Sequence, residues 1–106
     1  MLINDHQRWL RDFYRSKHWY ELSPEWRMNF ITEEEGELAR AVRAIEIGRS
    51  HPGEAAATTA EKEYNLREEM ADIIDQVLIL ADKYGVSGEE LLQFSEDKLK
   101  KRWHLE

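Results

Sequence analysis

The chain has no cysteine, two prolines and five glycines in 106 residues. Without cysteine there is no disulfide and no thiolate metal ligand, and the composition suits the cytoplasm. No apolar stretch comes near the ~20 residues of a membrane span. The residues after Met1 lack the apolar core of a secretion signal. No membrane association is expected. Strand signals are missing too: there is no sustained alternation, and no Asn-Gly or Asp-Gly turn. Positive charge is the scarcer sign, 15 basic residues against 22 acidic, for a formal net charge of −7. That balance argues against a nucleic-acid polymer or an anionic membrane as partner. What is left is an all-α chain with one modest core, read as a single domain over residues 1–106.

Helix one is predicted over about Asn4 to His18, with Trp9, Leu10, Phe13 and Tyr14 as its apolar face. Ser23 can cap a second helix and Pro24 suits its first position. That helix should run to about Gly48. A loop over Arg49 to Thr59 follows, expected to be mobile or to cover a site. Thr58 with Glu61 reads as a capping box opening helix three, and Gly85 is a natural stop near its end at Tyr84. Ser87 with Glu90 opens helix four, which should reach about Trp103. The layout expected is four antiparallel helices in a bundle-like arrangement.

The stretch from Ile31 to Ile45, ITEEEGELARAVRAI, is where the pattern departs from an ordinary amphipathic helix. At ~100° per residue, Phe30, Ile31, Leu38, Ala41, Val42 and Ile45 form one apolar stripe. Glu34 and Glu37 fall inside it. A buried ionised carboxylate is costly unless it is paired or holds a metal. In helix three the stripe is Leu66, Met70, Ile73, Val77, Leu80 and Tyr84, and Glu69 and Asp72 border it. If the two helices face each other, four carboxylates converge and repel unless a cation lies between them. A hard divalent ion with oxygen ligands, Mg²⁺ or Mn²⁺, is the simplest occupant. The competing arrangement is a pair of buried ion pairs from Glu34 and Glu37 to arginines such as Arg27 or Arg67. A carboxylate-bridged di-iron site would need Glu-x-x-His pairs, and none is present. A non-catalytic helical interaction module, using the same carboxylates for interchain ion pairs, is the alternative outside enzymology.

Glu33-Glu34-Glu35-Gly36-Glu37-Leu38-Ala39 followed by Glu68-Glu69-Met70-Ala71-Asp72 resembles the MazG-type all-α nucleoside triphosphate pyrophosphohydrolases, which carry an E-x-x-E pair and then an E-x-x-D pair. The resemblance covers roughly Trp26 to Leu80. It implies Mg²⁺ held by Glu34, Glu37, Glu69 and Asp72. It also implies hydrolysis of a nucleoside triphosphate to the monophosphate and pyrophosphate by an activated water, in a homodimer or homotetramer. Glu34 and Glu37 are the candidates for a carboxylate that doubles as catalytic base. Trp19 and Trp26 are the expected stacking partners of the base. Lys98, Lys101 and Arg102 are the expected phosphate cations, although this chain lacks the asparagine that often follows the basic residue in the family. Clearing of non-canonical or surplus nucleotides is the cellular role that this analogy suggests. Ile74, Leu78, Ile79 and Ala81 widen the apolar arc of helix three beyond what one small unit can bury, so self-association through that helix is expected.

Overall fold

Four helices account for most of residues 1–48 and 57–106, the portion described by the computed structural model. They are α1 (Ile3–Ser16), α2 (Pro24–Glu46), α3 (Thr59–Lys83) and α4 (Gly88–Arg102), and no strand occurs among the described residues. The fold is therefore all-α, as expected. Most of the expected loop over Arg49 to Thr59, residues 49–56, lies outside the described residues. No described helix is long and apolar enough to cross a membrane.

The helix ends follow local chemistry. The Glu61 amide donates to Thr58 Oγ1 at 3.1 Å, and that hydroxyl donates in turn to Glu61 Oε1 at 3.0 Å. This is a variant of the capping box, because the glutamate meets the threonine side chain rather than its backbone. The Glu90 amide donates to Ser87 Oγ at 3.1 Å. Gly85 adopts φ +73 just past α3, the left-handed conformation that a side chain would strain.

The chain forms two compact units. One holds residues 1–24 and 78–106, which bring α1, the end of α3 and α4 together. Its core is Leu10, Leu78 and Ile79, with Ile3 and Tyr14 packed against them. Gln7, 3% exposed, ties the unit together through the backbone. Its Nε2 donates to the carbonyls of Leu78 and Val86, both at 3.0 Å. Its Oε1 accepts from the Gly88 amide at 2.9 Å, and Asn4 Oδ1 accepts from the Glu89 amide at 2.9 Å. With the Ser87 cap, three of the amides at the start of α4 that lack helical partners are thus satisfied, two of them by α1. Gly88 permits this approach, since a Cβ there would stand 2.7 Å from Ile3 Cγ1.

A second network in the same unit surrounds Asp82. Arg11 grips it with both ends of its guanidinium, Nε to Oδ2 at 2.9 Å and NH2 to Oδ1 at 2.6 Å. Tyr20 Oη also donates to Oδ2. These donors hold the Asp82 carboxyl below the usual carboxylate range, Arg11 contributing most. Lys83 Nζ donates to the Tyr20 carbonyl at 2.7 Å and lies 4.4 Å from its ring centre.

The apolar face expected for α1 divides. Leu10 and Tyr14 meet the core, whereas Trp9 and Phe13 stack on each other at 5.5 Å and remain exposed. On α3 the buried residues are Leu78, Ile79 and Ala81, not the stripe read from periodicity. The reason is that α3 changes units at Leu78, so the face that is covered changes along its length. Met70, Val77 and Tyr84, which that stripe included, are exposed.

Candidate functional site

The second unit, residues 25–77, contains α2 and the first part of α3. Glu34 and Glu37 stand on neighbouring turns of α2, because residues three apart share a helix face. Glu69 of α3 meets them. One carboxylate oxygen from each of the three lies within 4.8 Å of the others. Asp72, one turn beyond Glu69, falls outside this close trio, although it interacts with both Glu34 and Glu37.

No ion pair among the described residues involves Glu34, Glu37, Glu69 or Asp72. Of the arginines offered as rival partners, Arg67 is exposed, and Arg27 is 1% exposed, its NH1 donating to Gln76 Oε1 at 3.4 Å and its guanidinium carbon 5.9 Å from the Phe30 ring centre. Glu34 Oε2 and Glu69 Oε2 are buried without a hydrogen-bond partner. Ionised carboxylates only accept, so the three can bond to one another only where a proton is retained. Burial, then hydrogen bonds with Glu34 and Glu37 and repulsion from both, pushes the Glu69 carboxyl up to about 8. Burial also raises Glu34, with further repulsion from Glu37 and Asp72. Asp72 is raised by burial and by the neighbouring charges of Glu68, Asp75 and Glu37.

Crowded oxygens, two of them buried and unsatisfied, have the donor chemistry of a hard divalent cation site. Glu34, Glu37 and Glu69 would supply oxygens at once, and Asp72, which interacts with Glu34 and Glu37, is the neighbouring candidate.

A cleft of about 340 Å³ adjoins the trio. Glu37 and Glu69 line it, together with Arg40, Ala41, Ala44, Ala57, Lys62 and Asn65. The polar members Arg40, Lys62 and Asn65 were not singled out from sequence. Their signal was available in spacing: Arg40 follows Glu37 by one turn, and Asn65 and Lys62 precede Glu69 by one and two turns.

The other sequence-derived residues are placed as follows. Trp26, in this unit, is 56% exposed and lies 6.5 Å from Phe30, ring centre to ring centre. Trp19 belongs to the first unit, where it meets Phe13 and Tyr14 edge-on at 5.8 and 5.6 Å. Lys98, Lys101 and Arg102 are exposed on α4, also in the first unit. Lys101 and Arg102 lie in the last turn, where their charge favours the helix dipole.

Residues 22–104 match the MazG nucleotide pyrophosphohydrolase domain. The chain is also 47% identical over 103 residues to the uncharacterized protein YvdC of Bacillus subtilis (strain 168), with 97% of each chain covered. No solved structure matches. With most of its length matched by one family, and two glutamates of α2 meeting one of α3, the chain belongs to the MazG nucleotide pyrophosphohydrolase family.

Proposed function

We propose that this protein hydrolyses a nucleoside triphosphate to the nucleoside monophosphate and pyrophosphate, with Glu34, Glu37, Glu69 and Asp72 holding Mg²⁺ or Mn²⁺. One observation carries the reading: three carboxylates share a space in which two buried oxygens have no donor. A fold does not keep such a cluster for its own stability. An acidic pocket also cannot take a polyphosphate directly. Both facts are reconciled by a cation between them.

When bound, the ion would neutralise phosphate charge and lower the pKa of a water. The chain's own part is to hold the phosphates in line and to accept a proton. Water attacks the α-phosphorus, the bond to the oxygen bridging the α and β phosphates breaks, and pyrophosphate leaves. Glu34 or Glu37 takes the proton released by the water. Trp19 and Trp26 are proposed base-stacking residues, and Lys98 and Arg102 proposed phosphate contacts.

We also propose that residues 1–106 act as one domain within a homo-oligomer, dimer or tetramer. Met70, Ile74 and Val77 on α3 are exposed, and their spacing of four and three keeps them on one face. The cytoplasm and the clearing of surplus or non-canonical nucleotides are the setting and role that fit this reading.

The test is pyrophosphate release from a panel of canonical and modified nucleoside triphosphates, with Mg²⁺ and with chelator. Metal-dependent release with a monophosphate product is expected. Folded protein that is silent across the panel would overturn the assignment.

A further inference from the structure

We infer that Arg40 and Lys62 form the pyrophosphate end of the substrate site, gripping the β and γ phosphates in the cleft beside the carboxylate trio. The inference rests on the hydrolase reading above and assigns the part of the substrate that this cleft receives.

The first observation is shared walls. Glu37 and Glu69 line the same cleft as Arg40 and Lys62, so the carboxylates and the two cations face one space. The second is direction. Arg40 lies three residues beyond Glu37, about 4.5 Å farther along the α2 axis, and Lys62 lies seven residues before Glu69, about 10.5 Å along α3. Both are displaced toward the end of the hairpin at which α2 stops and α3 starts. Ala44 and Ala57, from those same ends, line the cleft too. The space therefore runs from an anionic end to a cationic end.

The third observation is that the cations are unspent. Among the described residues neither Arg40 nor Lys62 is ion-paired, although two carboxylates line their cleft. They are also its only cations among the described residues. Ala41, Ala44 and Ala57 line the cleft with side chains too short to reach across it.

Charge selects the ligand. A triphosphate carries more negative charge than one divalent ion offsets. With the ion at the carboxylate end, the excess falls on the phosphates farthest from it. A guanidinium forks onto two phosphate oxygens and an ammonium adds a point charge. The α-phosphorus then stays near Glu34 and Glu37, and the departing pyrophosphate already sits on its cations.

Titration calorimetry of the full chain with inorganic pyrophosphate in Mg²⁺ reads this without turnover. The double variant Arg40→Gln/Lys62→Gln is expected to bind pyrophosphate at least tenfold more weakly, with the melting-temperature rise caused by Mn²⁺ unchanged. Product inhibition by pyrophosphate should weaken in parallel, and KM for the triphosphate should rise more than kcat falls. Exchanging the two cations, Arg40→Lys with Lys62→Arg, should restore most of the affinity. Pyrophosphate affinity within twofold of the parent in the double variant would overturn the inference, as would absence of pyrophosphate binding by the parent. Selective loss of nucleoside monophosphate affinity would also overturn it, because the cleft would then hold the nucleoside. If the parent hydrolyses triphosphates while the double variant is unaltered, only this inference fails. If the parent hydrolyses none, the hydrolase reading itself fails.

Discussion

Asp82 and Glu69 are both acidic side chains withdrawn from water, yet their surroundings differ in kind. Around Asp82 every neighbour is a donor: Arg11 twice and Tyr20 once. Around Glu69 the neighbours are two more carboxylates. One carboxyl is held below its ordinary range and the other is pushed up to about 8. The first environment stabilises the fold. The second works against it in the absence of an ion, which is the mark of a site kept for what it binds.

Substitutions should separate the two. The largest effect is expected for Glu37→Gln, which should abolish metal-dependent turnover, a loss of ~10³-fold or more, since an ion ligand and a candidate base go together. Activity within a few-fold of the parent would remove Glu37 from the ligand set. In chelator, Glu69→Gln should raise the melting temperature, because a neutral amide removes the cost of either charging Glu69 or holding a proton on it beside Glu34 and Glu37. The same change should reduce the stabilisation that Mg²⁺ or Mn²⁺ gives the parent, since an ion that binds only the folded state stabilises it.

Next in size come the satisfied networks. Gln7→Leu strands one amide and two carbonyls and should cost about 3 kcal/mol by denaturant unfolding. Arg11→Leu should cost about 2 kcal/mol, less than a fully buried pair, because Arg11 is 33% exposed. Neither change should alter the cation-binding stoichiometry. A loss of ion binding in Gln7→Leu would show that the two regions are not energetically separate.

The pH dependence sharpens the contrast, because the slopes have opposite signs. Glu69 holds a proton up to about 8 in the folded chain, against its ordinary value of 4.5. Across that window the folded state binds more protons than the unfolded one, so cation-free stability falls as pH rises. Asp82 is shifted the other way. Its contribution is full above the unfolded carboxylate pKa of ~3.9 and is lost as pH falls through its lower folded value. Melting curves from pH 3 to 9 in chelator should show both slopes. Glu69→Gln should flatten the upper one and Arg11→Leu the lower. The smallest effect expected is for Tyr20→Phe, about 1 kcal/mol, which removes one of three donors to Asp82.

The parts legible in sequence were those written over short distances. Thr58 with Glu61, Ser87 with Glu90 and Gly85 mark helix ends because a cap involves residues three apart, and all act where expected. Glu34 and Glu37 were conspicuous because a 3.6-residue period placed charge on an apolar stripe. Periodicity names a face but not what covers it. That is why Trp9 and Phe13 share the apolar face of α1 yet remain exposed, and why Leu78, Ile79 and Ala81, outside the narrow stripe, are the buried part of α3. Gln7 gave no local signal at all, since its partners Leu78, Val86 and Gly88 lie 71 to 81 residues away. The spacing of Glu69 and Asp72 suggested equal partners, and only the first enters the close trio.

Those long-range bonds set an order of events during synthesis. The α2–α3 hairpin is built from one continuous stretch, so it can form as soon as it leaves the ribosome. Residues 1–24 emerge earlier but find their partners only when residues 78–106 follow. At about 5–20 residues per second, α1 waits for seconds with Ile3, Leu10 and Tyr14 lacking Leu78 and Ile79 to pack on. The carboxylate hairpin is thus the first part of the nascent chain with its own partners in hand, and the segment made first is the last to meet its partners.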